Sequence, residues 1–126
     1  MQKVFIFCVS LFLFSYSECY GEWKFIYRQS NGNNIYLDVR SIKFKEGFVY
    51  WSELVNFHKH ISGIMSMSVS MMGNCEKLRQ RSIRFEYFLE HFGDEFVKSS
   101  FNKGKKWVTL DAKSVQYQIL KKICKS

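Results

Sequence analysis

No proline occurs anywhere in the 126 residues, so the chain has no proline-rich linker. It also has no internal repeat and no low-complexity tract. Neither a G-x-S-x-G elbow nor a glycine-rich phosphate loop is present, so neither short motif points to serine hydrolysis or nucleotide binding. Cysteine is scarce: Cys8, Cys19, Cys75 and Cys124, with no C-x-x-C pair among them. The longest apolar run is Val4 to Phe14, 11 residues. As a helix it would span about 16 Å, roughly half of a ~30 Å hydrocarbon core, which is too short for a stable transmembrane anchor.

Aromatic residues and positive charge are plentiful. The chain is 47% hydrophobic and 18% aromatic, a composition that argues against disorder. Thirteen Phe, seven Tyr and three Trp favour strands. The net charge of +8 favours anionic partners, though it also serves simple solubility. Loss of residues 1–21 would remove one base, Lys3, and one acid, Glu18, and leave that charge unchanged.

The N-terminus has the three-part layout of a secretory signal peptide. Met1-Gln2-Lys3 is a positive start, Val4 to Phe14 an apolar core, and Ser15 to Gly21 a polar tail. Cleavage after Gly21 puts a small residue at the last position and leaves 22–126 as one domain. Lipidation at Cys19 is the alternative, against which Glu18 is a poor fit ahead of the cysteine. With Cys8 and Cys19 discarded, Cys75 and Cys124 remain, and an even pair in an exported chain implies a disulfide. It would close a loop of about 50 residues and stabilise by roughly 4 kcal/mol in the chain-entropy model.

The stretch Ile64 to Cys75, IMSMSVSMMGNC, alternates Met65, Met67, Val69 and Met71 with Ser66, Ser68 and Ser70. That period of two predicts a half-buried strand with one apolar and one small polar face. Glu22 to Gln29 reads as a first strand, with Trp23, Phe25 and Tyr27 on one face. Asn31-Gly32 is a hairpin signal. Ile35 to Val39 is a short second strand that bends at Asp38, and Glu46-Gly47 marks another turn. Phe48 to Phe57 is nearly continuously apolar, which predicts a central strand with Glu53 on the Trp51 side. Lys77 to Phe88 is a further strand, with Arg79 and Arg81 on the side continued by Ile83, Phe85 and Tyr87. Leu89 to Gly104 reads as a loop or irregular hairpin, and Lys106 to Leu110 as a last short strand. From Asp111 to Cys124 the period changes: Ala112, Val115, Ile119 and Ile123 form one helical stripe, with Asp111 as cap.

Several groups could carry chemistry. His58 and His60 form an H-x-H that could bind zinc, but no third ligand is evident in the sequence. Glu86, Glu90, Asp94 and Glu95 are neighbouring carboxylates, and a hydrolase could use Glu86 or Glu90 only if a partner faced it across a cleft. Arg79, Arg81 and Arg84 near Tyr87, with Lys103, Lys105 and Lys106 beside Trp107, are basic patches with aromatic neighbours, suited to polyanions. Export makes a glycan, lipopolysaccharide or a host protein a better partner than nucleic acid. Trp23, Trp51 and Trp107, like Met65, Met67 and Met71, read first as core.

In order and spacing these features resemble the surface-adhesin protein E-like domain of Gram-negative bacteria. The matching pieces are Trp23, the N-x-I-Y-L-D-V-x-S-I block from Asn33 to Ile42, Val49 to Trp51, Cys75, Trp107, Ser114-Val115 and Cys124. Asp111-Ala112-Lys113 stands where the family often has Pro-Gly. The resemblance implies an α+β domain: a mostly antiparallel sheet of about six strands, a C-terminal helix packed on it, and a disulfide between the two. It implies a bacterial surface protein that binds host extracellular-matrix or serum proteins. Together with the signal peptide, the basic patches and the lack of a catalytic set, it points to an exported, non-enzymatic binding protein without a cofactor, in the periplasm or on the outer surface, whose partner is a host extracellular-matrix protein or an anionic glycan. A periplasmic envelope-stress or enzyme-inhibitor protein is the alternative.

Overall fold

The structure is a computed structural model and describes residues 23–102 and 106–125. Residues 1–21, read above as a signal peptide, with Cys8 and Cys19, and also Lys103 and Lys105, lie outside the described residues.

The order of elements is β1 (Trp23–Arg28), β2 (Asn34–Lys45), β3 (Phe48–Ile61), β4 (Ile64–Asn74), β5 (Arg79–Phe88), a single 3-10 turn (His91–Gly93), β6 (Phe96–Phe101), β7 (Val108–Thr109) and α1 (Val115–Cys124). Strands β1 to β6 pair antiparallel in chain order, a meander, and β7 pairs β5. β6 lies against residues 84–88 of β5 and β7 against residues 79–80, so the two short strands share one side of β5 end to end. Two of the hairpins use two-residue loops, Glu46-Gly47 and Ser62-Gly63, with positive φ at both positions. Such turns follow the right-handed twist of the strands they join.

The Met/Ser strand and the central β3 stand where the sequence places them. Four expectations are corrected. β2 does not end at Val39 but runs on to Lys45. The carboxylate of Asp38 accepts from the Arg40 N–H, and Ser41 Oγ donates to the Asp38 carbonyl and accepts from the Ser52 N–H. These bonds hold a bulge between Asp38 and Lys43, after which pairing with β3 resumes. Trp23, Phe25 and Tyr27 do not share a face, because a bulge lies between Phe25 and Tyr27. Tyr27 packs against the core with Ile26, while Phe25 stacks edge-on to Tyr36. The stretch from Leu89 onward contains a strand, β6. The cap of α1 is Ser114, whose Oγ accepts from the Tyr117 N–H, whereas Asp111 accepts from the Lys113 N–H in the turn before it.

α1 lies across one face of the sheet. Ile119, Leu120 and Ile123 meet Leu37, Val49, Trp51 and Met71 in one buried cluster. Three such aliphatic side chains contribute roughly 1.5–3 kcal/mol each when buried. Cys75, just past the end of β4, is bonded to Cys124 in the last turn of α1, with Cα atoms 5.7 Å apart. Glu53 is buried on the same face. It accepts from the Trp51 indole N–H at 2.7 Å and from the Gln116 amide at 3.1 Å. Burial raises its pKa above the ordinary carboxylate value, and the two donors offset part of that rise.

Candidate functional site

The other face of the sheet carries the polar and charged side chains. Along β4 the residues facing away from α1 are Ser66, Ser68, Ser70, Met72 and Asn74, the alternates of Met71 and Gly73. Their cross-strand partners set the composition of this face. One row runs Asp38, Ser52, Ser70, Arg84, and the next Lys43, Tyr50, Met72, Arg81.

A bulge in β5 brings the arginines together. Ser70 pairs with Arg84 and Met71 with Ser82, which leaves Ile83 as the extra residue. Strict alternation along β5 would send Arg84 to the face opposite Arg79 and Arg81. The extra residue resets the alternation, so Arg79, Arg81 and Arg84 oppose Asn74, Met72 and Ser70 and share one face. Phe85 instead pairs with Val69 and Tyr87 with Met67, on the α1 side. The sequence expectation that Arg79 and Arg81 continue into Ile83, Phe85 and Tyr87 is therefore corrected.

Around these arginines lies an aromatic rim. Trp107 stacks on Phe48, with centroids 5.7 Å apart and planes at 27°. The Arg81 guanidinium sits 5.5 Å from the Trp107 centroid, and that of Arg84 lies 5.7 Å from the Phe101 centroid. Such cation–π contacts hold a charged head against the sheet while leaving its outer edge accessible. Arg84 also meets Glu86 at 3.5 Å. Arg79 and Lys106 are exposed, and Lys106 and Arg81 line a cavity of about 340 Å³ beside Ser82 and Val108. Sequence reading missed Lys43 and Lys45, which pair with Tyr50 and Phe48 and so join the rim. Their alternation with Phe44 was visible, but the bulge that sets their face was not.

At the opposite end, the β5–β6 loop folds back over the sheet. Phe92 and Gly93 both have positive φ, and their N–H groups donate to Asn56 Oδ1 at 2.8 Å and to Ser66 Oγ at 3.1 Å. Ser66 Oγ in turn donates to the Glu90 carbonyl. Ser66 is fully buried as a result, an outcome that period-two patterning cannot foresee. Between loop and rim lies a trough lined by Trp23, Asp38, Ser52, Ser68, Ser70, Glu86, Phe92 and Asp94.

The remaining candidates fare differently. Of the tryptophans, Trp51 is in the core, while Trp23 and Trp107 are half-buried on the polar face. His58 is exposed with its ring carbons close to Gly32, and His60 is exposed. Among the described residues no three His, Cys, Asp or Glu side chains are grouped to hold a metal. Glu86 and Asp94 share the trough, whereas Glu90 and Glu95 are exposed outside it.

Residues 23–125 match the family model of surface-adhesin protein E. The chain belongs to that family. Its members are surface adhesins, exported and surface-associated. The fold is similar to that of Haemophilus influenzae protein E. Crystal form II of that protein matches with a TM-score of 0.64 and 18% identity, over 82% of this chain and 87% of that one. The selenomethionine form gives 0.64 and 19%, over 80% and 85%. Protein E from non-typeable Haemophilus influenzae gives 0.62 and 20%, over 80% and 75%. At such identities the likeness establishes the fold. Among curated proteins no match is found. No helix among the described residues is long and apolar enough to cross a membrane.

Proposed function

We propose that this adhesin-family domain is an exported, non-enzymatic binding protein whose basic aromatic rim takes an anionic glycan or an acidic surface of a host matrix protein. Residues 1–21 act as the export signal in this reading. The observation that carries it is the gathering of Arg79, Arg81 and Arg84 on one sheet face beside Trp107 and Phe48. Guanidinium groups fixed against aromatic rings present paired N–H donors to sulfate or carboxylate without first losing side-chain freedom. Lys43, Lys45 and Lys106 extend the positive surface, and Lys103 and Lys105 are proposed to do the same.

The test is retention of the mature protein on immobilised heparin and on immobilised matrix proteins at low salt. Replacing Arg79, Arg81 and Arg84 together by Gln should lower the salt needed for elution and flatten the salt dependence. Co-elution of that variant with wild type, or passage of the wild type through every column, refutes the reading. Protease treatment of intact cells then assigns the compartment: digestion indicates the outer surface, and protection the periplasm.

A further inference from the structure

The trough between the rim and the β5–β6 loop has a chemistry opposite to that of the rim. Its volume is about 500 Å³, within the range of small-molecule sites. Three carboxylates line it, Asp38, Glu86 and Asp94, in a chain whose net charge is +8. Three serines, Ser52, Ser68 and Ser70, form its floor, and the aromatic rings that line it are those of Trp23, Phe88 and Phe92.

The serines are the informative feature. Ser66, Ser68 and Ser70 project from the same face of β4. The Ser66 hydroxyl is consumed by the fold, donating to the Glu90 carbonyl and accepting from the Gly93 N–H. The hydroxyls of Ser52, Ser68 and Ser70 make no hydrogen bond to another described residue. They are half-buried, pointed into a concavity, and able both to donate and to accept. The carboxylates beside them, when ionised, only accept.

That inventory selects its ligand. An anion would meet Asp38 and Asp94, paired with no cation among the described residues, and Glu86, offset only by Arg84 at 3.5 Å, and on balance would be repelled. An apolar ligand would strip water from hydroxyls and carboxylates without replacing their hydrogen bonds. The fitting molecule carries many hydroxyls, which donate to the carboxylates and exchange bonds with the serines, and a flat C–H face to lie on an aromatic ring. We infer that the trough of Asp38, Ser52, Ser68, Ser70 and Glu86, flanked by Trp23 and Phe92, is a binding site for an uncharged saccharide. The site is distinct from the basic rim and does not depend on the rim binding anything.

The experiment is titration of the isotope-labelled mature protein with lactose, maltose, cellobiose and N,N′-diacetylchitobiose, followed by amide and indole NMR shifts. High salt throughout screens the rim, so rim and trough fail separately. At least one disaccharide should give saturable shifts centred on residues 52, 68, 70 and 86 and on the Trp23 indole. Ser68→Val with Ser70→Val, which suits a strand, should weaken that binding about tenfold or more, and Glu86→Gln should weaken it independently. Unchanged shifts elsewhere in the spectrum show that each variant is folded. The inference is overturned if no disaccharide gives saturable shifts, if the shifts map elsewhere, if the variants bind as wild type, or if a uronic-acid disaccharide fills the trough equally well.

Discussion

Gly73 and Leu120 meet so closely that a β-carbon on the glycine would lie 2.7 Å from Leu120 Cδ1. The same carbon would sit 2.8 Å from the six-membered ring of Trp51. Leu120 is fully buried and Trp51 is 2% exposed, so neither has room to move away. The absence of a side chain at position 73 therefore decides how near α1 approaches the sheet. Gly73→Ala should destabilise the domain by about 1–3 kcal/mol, the usual range for overpacking. In a Leu120→Ala background the same change should cost less, because the space has been opened. Urea unfolding of the four proteins measures that coupling, and strict additivity would contradict the proposed contact.

The disulfide spans 49 residues and joins the end of β4 to the last turn of α1. In the chain-entropy model its loss removes about 4 kcal/mol. Cys75→Ser with Cys124→Ser should lower the denaturant midpoint accordingly. Mass spectrometry of the exported wild-type protein, with and without reductant, should show two thiols only after reduction.

Glu53 makes stability depend on pH in a defined direction. Its folded pKa is raised, chiefly by burial. The native state therefore holds the proton more tightly than the unfolded chain. The stability this contributes is fully present below the ordinary carboxylate range and is lost as pH rises through the raised value. A protonated Glu53 can also donate to Gln116, whose Oε1 is buried without a partner among the described residues, if that amide turns over. Glu53→Gln should remove this falling limb, so the difference between variant and wild type should grow in the variant's favour from acid to neutral pH. Glu53→Ala strands the Trp51 and Gln116 donors and should cost about 1–3 kcal/mol at any pH. Thermal unfolding across a pH series checks both.

Ser66 clamps the β5–β6 loop to the sheet with two hydrogen bonds, one made and one received. Ser66→Ala leaves the Gly93 N–H and the Glu90 carbonyl without that partner, at a cost of about 1–3 kcal/mol if they stay buried. The loop can instead swing out to water. Hydrogen exchange at residues 89–95 should accelerate far more than exchange in β3 and β4. Uniform acceleration across the sheet would show that the loop and sheet open as one unit.

Local signals were legible wherever one residue decides one thing. The alternation of Met65, Met67 and Met71 with Ser66, Ser68 and Ser70 announced β4, and the continuous apolar run from Phe48 announced the central β3. The placement of Glu53 beside Trp51 also followed from a period of two. Cap choice was less legible, since Asp111 and Ser114 are both good caps and only the path of the chain selects between them. Bulges were illegible. The extra residue at Ile83 has no compositional mark, yet it moves Arg84 across the sheet.

Thus the pattern of side chains determined by itself that several strands joined by turns would form, that a C-terminal helix would carry Ile119 and Ile123 on one stripe, and that Cys75 and Cys124 could pair. These follow from periodicity and from the even cysteine pair, both carried by neighbours in sequence. The antiparallel order of the sheet was implied only by the family resemblance. Tertiary structure alone decided which face gathers the arginines, that Ser66 is consumed by the fold while Ser68 and Ser70 stay open, and that Asp38, Glu86 and Asp94 meet around one trough. Those outcomes depend on bulges and on a loop docking onto residues about 30 positions away, where small shifts in pairing decide which side chains become neighbours.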